Sequence, residues 1–249
     1  IYITLNGYRN DIFTTYAYVS EDLGTTWKLL TENFKQNAAN VILEDSENEN
    51  ILYLGTDNGL FISTDKGLTW QDFSADIPNV AVHDLVIQSR EKDLIVATHG
   101  RSLYKVNIAN IQQINETING KEMTLFQVED VYFSENWGNK SYTWGDDAVP
   151  SVAIWYYLKN ISNIGITIKN KGGVVVFNRQ AEAEKGMLKM DYDLSIDEKT
   201  KIAIEKKDVN MKINQAANKK YYLPVGNYVV ELETNGKKET QTLIIKERK

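Results

Sequence analysis

Apolar and polar positions in the first hundred residues change places on a short period. Residues 1–5 (IYITL) form a short β-like run, 16–20 (YAYVS) alternate, and 27–30 (WKLL) continue as a further strand. Residues 41–44 (VILE), 51–56 (ILYLGT), 60–63 (LFIS) and 70–73 (WQDF) follow, then 80–88 (VAVHDLVIQ), 94–98 (LIVAT) and 101–106 (RSLYKV). Runs this short, bounded by polar turns, read as strands. Asp57-Asn58-Gly59 is a strong hairpin signal, because Asn and Gly tolerate positive φ. From 108 the spacing becomes helical: Ile108, Ile111, Ile114 and Ile118 predict a short amphipathic connector over 108–124. From 125 strands return at 128–133, 152–158, 165–169, 174–178, 201–205, 228–234 and 241–246, separated by turn signals such as Asn235-Gly236. Seven short strands of this kind predict an immunoglobulin-like β-sandwich. Its polar stretch near 180–220 is expected to be an exposed, partly mobile extension.

An octad gives the strands their register. Residues 20–27 (SEDLGTTW) and 63–70 (STDKGLTW) both read Ser-x-Asp-x-Gly-x-Thr-Trp, and they start 43 residues apart. A repeat of about 40–50 residues suits one four-stranded propeller blade. The expected fold is therefore all-β: about three blades of a β-propeller over 1–107, a helical connector over 108–124, and the sandwich over 125–249. The first blade lacks its opening strand and the third its closing one. A ring needs at least about four blades, so the remaining blades are expected from a longer precursor or a second chain. A start without Met or a basic n-region is what the middle of a folded domain would show.

Composition narrows the function classes. A net charge of −6 over 249 residues argues against nucleic acid as a partner. Without cysteine there is neither a disulfide framework nor a thiolate metal site. No apolar run is long enough to span a membrane. No cofactor or metal site is expected, and no nucleophile elbow, P-loop or HExxH motif appears.

The octad side chains (Ser20, Asp22, Gly24 and Trp27; Ser63, Asp65, Gly67 and Trp70) are accounted for by turn formation. Asp accepts backbone N–H groups, Gly supplies positive φ, and Trp covers the turn. If the first strand of a blade runs top to bottom, the octad joins the third and fourth strands at the bottom. The top then carries residues 6–9, Asp57, His83, Asp84, His99 and Arg101. These five from Asp57 to Arg101 are the candidate ligand site: an anion site on Arg101, or acid–base work by a His–Asp pair. The alternative is that His99 and Arg101 only seal the blade to its neighbour. Trp137, Tyr142 and Trp144 form a second group that can stack on a sugar or a partner, or plug the seam between propeller and sandwich, since large aromatics are more often buried than exposed.

The octads resemble the Asp-box repeats of sialidase-type (BNR repeat) propellers. The run over 41–106, with VHDL at 82–85 and THGRSLY at 98–104, is similar to sortilin-like and glycosyl hydrolase BNR-repeat proteins of environmental bacteria. Residues 221–246 are similar to the Ig-like module of the flagellar hook-capping protein. The resemblance implies a secreted, periplasmic or cell-surface bacterial module that binds a protein, peptide or glycan without catalysis. The alternative it implies is part of a glycoside hydrolase whose carboxylates lie on blades absent from this chain. It makes no residue here catalytic.

Overall fold

A computed structural model of the chain describes residues 1–34, 38–74, 77–140, 142–208 and 210–248. The chain divides into two compact units, Ile1–Asn115 and Glu116–Lys249.

The first unit is three antiparallel sheets in succession. The first holds β1 (Tyr2–Gly7), β2 (Ile12–Val19) and β3 (Lys28–Leu29). The second is a four-stranded meander of β4 (Ala39–Glu44), β5 (Leu52–Thr56), β6 (Gly59–Ser63) and β7 (Gln71–Asp72). The third holds β8 (Val82–Gln88), β9 (Asp93–Thr98) and β10 (Leu103–Asn107). These are propeller blades. Every residue of β5 and β6 is buried, as expected of strands covered on both faces. Between the first two blades Ala17 packs with Ala39, Leu54 and Phe61, and Phe34 and Trp70 close that cluster. Between the second and third, Gly55 lies so close to Val82 that an added Cβ would stand 2.9 Å from the Val82 carbonyl oxygen.

The helix expected across 108–124 is not continuous. A 3-10 turn at Ile111–Gln113 is followed by a five-residue helix, α1 (Glu116–Gly120), and then by β11 (Met123–Leu125). The periodic isoleucines are drawn into the first unit: Ile108, Ile111 and Ile114 are fully buried. Asn48 Nδ2 donates to the carbonyls of Gln112 (3.2 Å) and Ile114 (2.6 Å), which competes with helical pairing of those groups.

The second unit has two main sheets. One has the order β12 (Val131–Tyr132), β20 (Lys237–Lys246), β19 (Gly226–Thr234), β14 (Ser162–Asn170), β15 (Val175–Ala183). The other has the order β11, β13 (Val152–Leu158), β16 (Gly186–Tyr192). β17 (Ser195–Ile196) pairs with β18 (Tyr221–Tyr222). One apolar cluster joins both main sheets, with Ile154, Ile168, Val230, Leu232 and Leu243 essentially inaccessible.

Two expectations are corrected in this unit. Residues 201–205 are helical, within α2 (Glu198–Lys207). Asp197 caps that helix by accepting from the Thr200 N–H at 2.7 Å, and a short apolar run such as KIAI does not by itself separate strand from helix. The stretch near 180–220 is not an exposed extension. It supplies β16, α2 and the buried residues Met190, Tyr192, Leu194, Ile204 and Ile213 of the core. Its charged residues lie between these apolar ones. Residue 209 lies outside the described residues.

Candidate functional site on the propeller rim

The octads fold as closed hydrogen-bonded turns. In the first, Ser20 Oγ donates to Asp22 Oδ1 (2.8 Å) and accepts from the Gly24 N–H (2.7 Å). Asp22 also accepts from the Thr26 N–H at 2.8 Å and from Thr26 Oγ1 at 2.7 Å. Ser63, Asp65, Gly67 and Thr69 repeat this set, from 2.6 to 2.8 Å. The tryptophans differ. Trp70 Nε1 reaches across the seam to the Leu30 carbonyl of the first blade (3.0 Å), whereas Trp27 Nε1 turns back to its own Gly24 carbonyl (3.1 Å).

The donors from Thr26, backbone N–H first and then hydroxyl, with Ser20 behind them, hold the Asp22 carboxyl at about 2, against an ordinary 3.8. A depressed native pKa contributes stability that is present above the unfolded value and lost as pH falls through the native one. Acid unfolding between about pH 4 and pH 2 will therefore be flatter in Asp22→Asn than in wild type. Trp fluorescence against pH measures this, and identical limbs would contradict it.

The opposite turns form the rim. In β4 the register passes from Ala39↔Thr56 to Val41↔Gly55, which leaves Asn40 as a bulge. In β8 it passes from Val82↔Thr98 to Asp84↔Ala97, which leaves His83. Asn40 and His83 are separated by the octad interval, and a bulge re-aims the extra side chain. The ends of the following strands also match: the Asp57 N–H donates to the Ala38 carbonyl and the His99 N–H to the Ala81 carbonyl.

On this repeated scaffold the first two blades carry a bonded ladder. Asn6 Nδ2 donates to Asn40 Oδ1, and Asn40 Nδ2 donates to Asp57 Oδ1, both at 2.9 Å. The third blade places two imidazoles where the second has Asn40 and Asp57. The rings of His83 and His99 lie 5.3 Å apart, inclined at 36°. Arg101 follows in the turn, exposed, and its guanidinium makes no hydrogen bond or ion pair with the described residues. Gly100 at φ 71° and Ser102 at φ 84° flank it. Both take left-handed backbone, which few non-glycine residues adopt.

The structure thus brings His83 and His99 together and sets Arg101 two residues beyond His99. Asp57 is tied to Asn40, and Asp84 accepts from the backbone N–H of Leu85 at 2.9 Å. Among the described residues neither carboxylate is hydrogen-bonded to His83 or His99, so no His–Asp pair of the kind expected for acid–base work is formed. Asn40 is the rim residue that the strand pattern alone misses; its spacing from His83 is the signal that finds it. Among the described residues no group of three or more His, Asp or Glu side chains is arranged to hold a metal ion. The aromatic group belongs to the second unit. Trp137 is half-buried against Phe133 and Tyr222. Tyr142 and Trp144 are 65% and 84% exposed.

The family model described as "Sortilin, neurotensin receptor 3" matches residues 15–246. The chain belongs to the Sortilin-Vps10 family. That is a β-propeller family, in keeping with the three blades. No curated protein matches this Sortilin-Vps10 chain. Three solved structures are similar to it at low levels. The first is the extracellular domain of a B. thetaiotaomicron protein described as a hybrid two-component system (8% identity, 98% of this chain and 30% of that one, TM-score 0.28). The second is an ancestral GH74 enzyme (12% identity, 93% and 28%, TM-score 0.31). The third is dimeric latent PorU from Porphyromonas gingivalis (10% identity, 93% and 24%, TM-score 0.27). The Sortilin-Vps10 chain spans about three tenths or less of the length of each. No described helix in it is long and apolar enough to cross a membrane.

Proposed function

We propose that this chain is part of an exported bacterial binding module in which the propeller rim at His83, His99 and Arg101 engages a protein, peptide or glycan partner. The observation that carries this reading is the break in the rim ladder. Two blades spend their rim side chains on one another, while the third presents an imidazole pair and an unpaired guanidinium to solvent. An arginine unpaired among the described residues, two positions beyond one of two adjoining imidazoles, suits a carboxylate on the ligand. The binding reading is preferred to the hydrolase reading because the rim described here offers an imidazole pair and a guanidinium, whereas the two working carboxyl groups that glycoside hydrolysis needs would have to come from blades absent from this chain.

In this reading the octads are Asp-boxes that serve folding, and the second unit is an immunoglobulin-like module. Further blades, from a longer precursor or a second chain, are partners of the first blade. By register, Ile3 and Tyr18 hold there the positions that Leu54 and Phe61 hold against Ala17 in the second blade. A peptide and glycan array probed with the chain tests the rim. The triple variant H83A/H99A/R101A is expected to lose array binding while keeping the wild-type thermal transition. Unchanged binding would remove the rim from the proposal. Release of reducing sugar from an arrayed polysaccharide would favour the hydrolase instead.

A further inference from the structure

The second unit holds a cleft of about 550 Å³ beside the loop that carries the aromatic group. Phe133, Trp137 and Tyr222 line it with ring surface, and Asn139, Asn214 and Gln215 line it with carboxamides. Its charged groups are one carboxylate, Glu135, and one ammonium, Lys212. A lining of rings and amides with balanced charge fits an uncharged ligand rich in hydroxyl groups.

The cleft is firmly built. The rings of Trp137 pack edge-on to Phe133 and Tyr222 at 5.0 and 5.9 Å. The Trp137 loop is clamped to the opposite wall by the Asn218 N–H, which donates to the Gly138 carbonyl at 3.0 Å. Only glycine permits this approach. Its φ is +74°, and a Cβ at Gly138 would stand 2.5 Å from Asn218 Oδ1 and 2.7 Å from the Ala216 methyl. Several polar groups remain for a ligand. The Trp137 indole N–H donates to none of the described residues. Asn139 and Gln215 each donate to a backbone carbonyl (3.2 and 3.0 Å), which leaves their amide oxygens as acceptors. The Tyr222 hydroxyl accepts from Asn218 Nδ2 at 2.7 Å and keeps its own proton to donate.

The same loop extends the surface beyond the cleft. The Gly138 N–H donates to the Ala148 carbonyl and the Ala148 N–H to the Asn139 carbonyl, and Lys140 bridges to Asp147, which makes a short hairpin. Near its tip Tyr142 and Trp144 stack with centroids 5.4 Å apart and planes within 10°. Tyr142 fixes the plane of the indole, so the outer face of Trp144 is offered to solvent at little further cost in side-chain entropy. A single stacked pair of exposed rings, on the loop that also lines an amide-bearing cleft, is unlike a protein interface, whose centre is a packed apolar cluster.

We infer that this cleft and the Tyr142–Trp144 platform form a binding site for an uncharged β-linked polysaccharide, whose sugar rings present flat C–H faces to aromatic rings. The inference deepens the binding-module reading but uses none of the rim residues, so either can fail alone. Affinity gel electrophoresis of the full chain in hydroxyethylcellulose and in neutral xylan tests it. Retardation is expected in at least one gel, weakened about tenfold in apparent Kd (about 1.4 kcal/mol) by Trp144→Ala. The double variant N214A/Q215A, which changes only exposed side chains, is expected to weaken it comparably, and H83A/H99A/R101A to leave it unchanged. Migration equal to that in plain gel for both polymers would overturn the inference. So would retardation insensitive to both W144A and N214A/Q215A, or W144A-sensitive binding to phosphatidylcholine vesicles without retardation in either gel.

Discussion

Gly55→Ala is expected to destabilise the first unit by about 2–3 kcal/mol, the upper part of the range for overpacking a close-packed site. The new methyl would stand 2.7 Å from Val41 Cγ1, 2.7 Å from Val82 Cγ1 and 2.9 Å from the Val82 carbonyl oxygen. Two of these are side-chain atoms that can yield, but the third is backbone of the neighbouring blade. Differential scanning calorimetry should show the transition of this unit lowered by about 10 °C or more. Adding Val82→Ala should recover only part of the loss, because the carbonyl stays in place. Full recovery would mean that the blades are spaced by side chains and can slide. The equivalent first-blade residue, Thr4, carries a larger side chain and donates to the Asn40 carbonyl at 3.1 Å. The seam between the second and third blades is therefore the tighter one, and it fixes where His83 stands.

Asp45→Ala should cost about 3 kcal/mol, as expected when a buried charged acceptor with several donors is removed. Asp45 is 4% exposed. It accepts from the N–H groups of Glu47 (2.8 Å) and Asn48 (3.1 Å), from the Tyr53 hydroxyl (3.1 Å) and from Gln112 Nε2 (3.1 Å). Tyr53 is fully buried, and burial first, with the Asp45 charge behind it, pushes its phenol well above the usual range. Without Asp45 that hydroxyl and the Gln112 amide are left unpaired, and the segment through Ile114 loses one anchor to the second blade. Hydrogen exchange at Ile114, whose N–H donates to the Ile111 carbonyl, should accelerate more than exchange at Leu54. Tyr53→Phe alone should cost about 1 kcal/mol. Combined with D45A it should add less than that, since both changes remove one bond.

The two octads made much of the first unit legible. A turn whose Ser, Asp, Gly and Thr bonds close within eight residues is specified locally, so its position in sequence is its position in the blade. Strand identity followed because β5 and β6 combine apolar runs with a Gly-containing turn. The bulges at Asn40 and His83 were not legible from alternation, since one extra residue in a strand looks like noise until two copies are superposed. In the second unit the errors lie where charge density conceals burial. β16 and α2 place Met190, Tyr192 and Ile204 in the core between lysines and acids that face outward. The rim was legible as a list of turn residues because both histidines lie in one blade. The cleft was not, because Trp137 and Gln215 are far apart in sequence and meet only through the clamp at Gly138.

The two tryptophan settings have a practical use. Trp70 is locked to a neighbour, whereas Trp27 is 40% exposed and bonded within its own turn. A ring half in water emits at longer wavelength than one buried in a seam, so Trp27 is a built-in optical gauge for its edge of the first blade. In a protein whose other tryptophans are changed to phenylalanine, a blue shift of its emission would time the arrival of whatever covers that edge, without an added label.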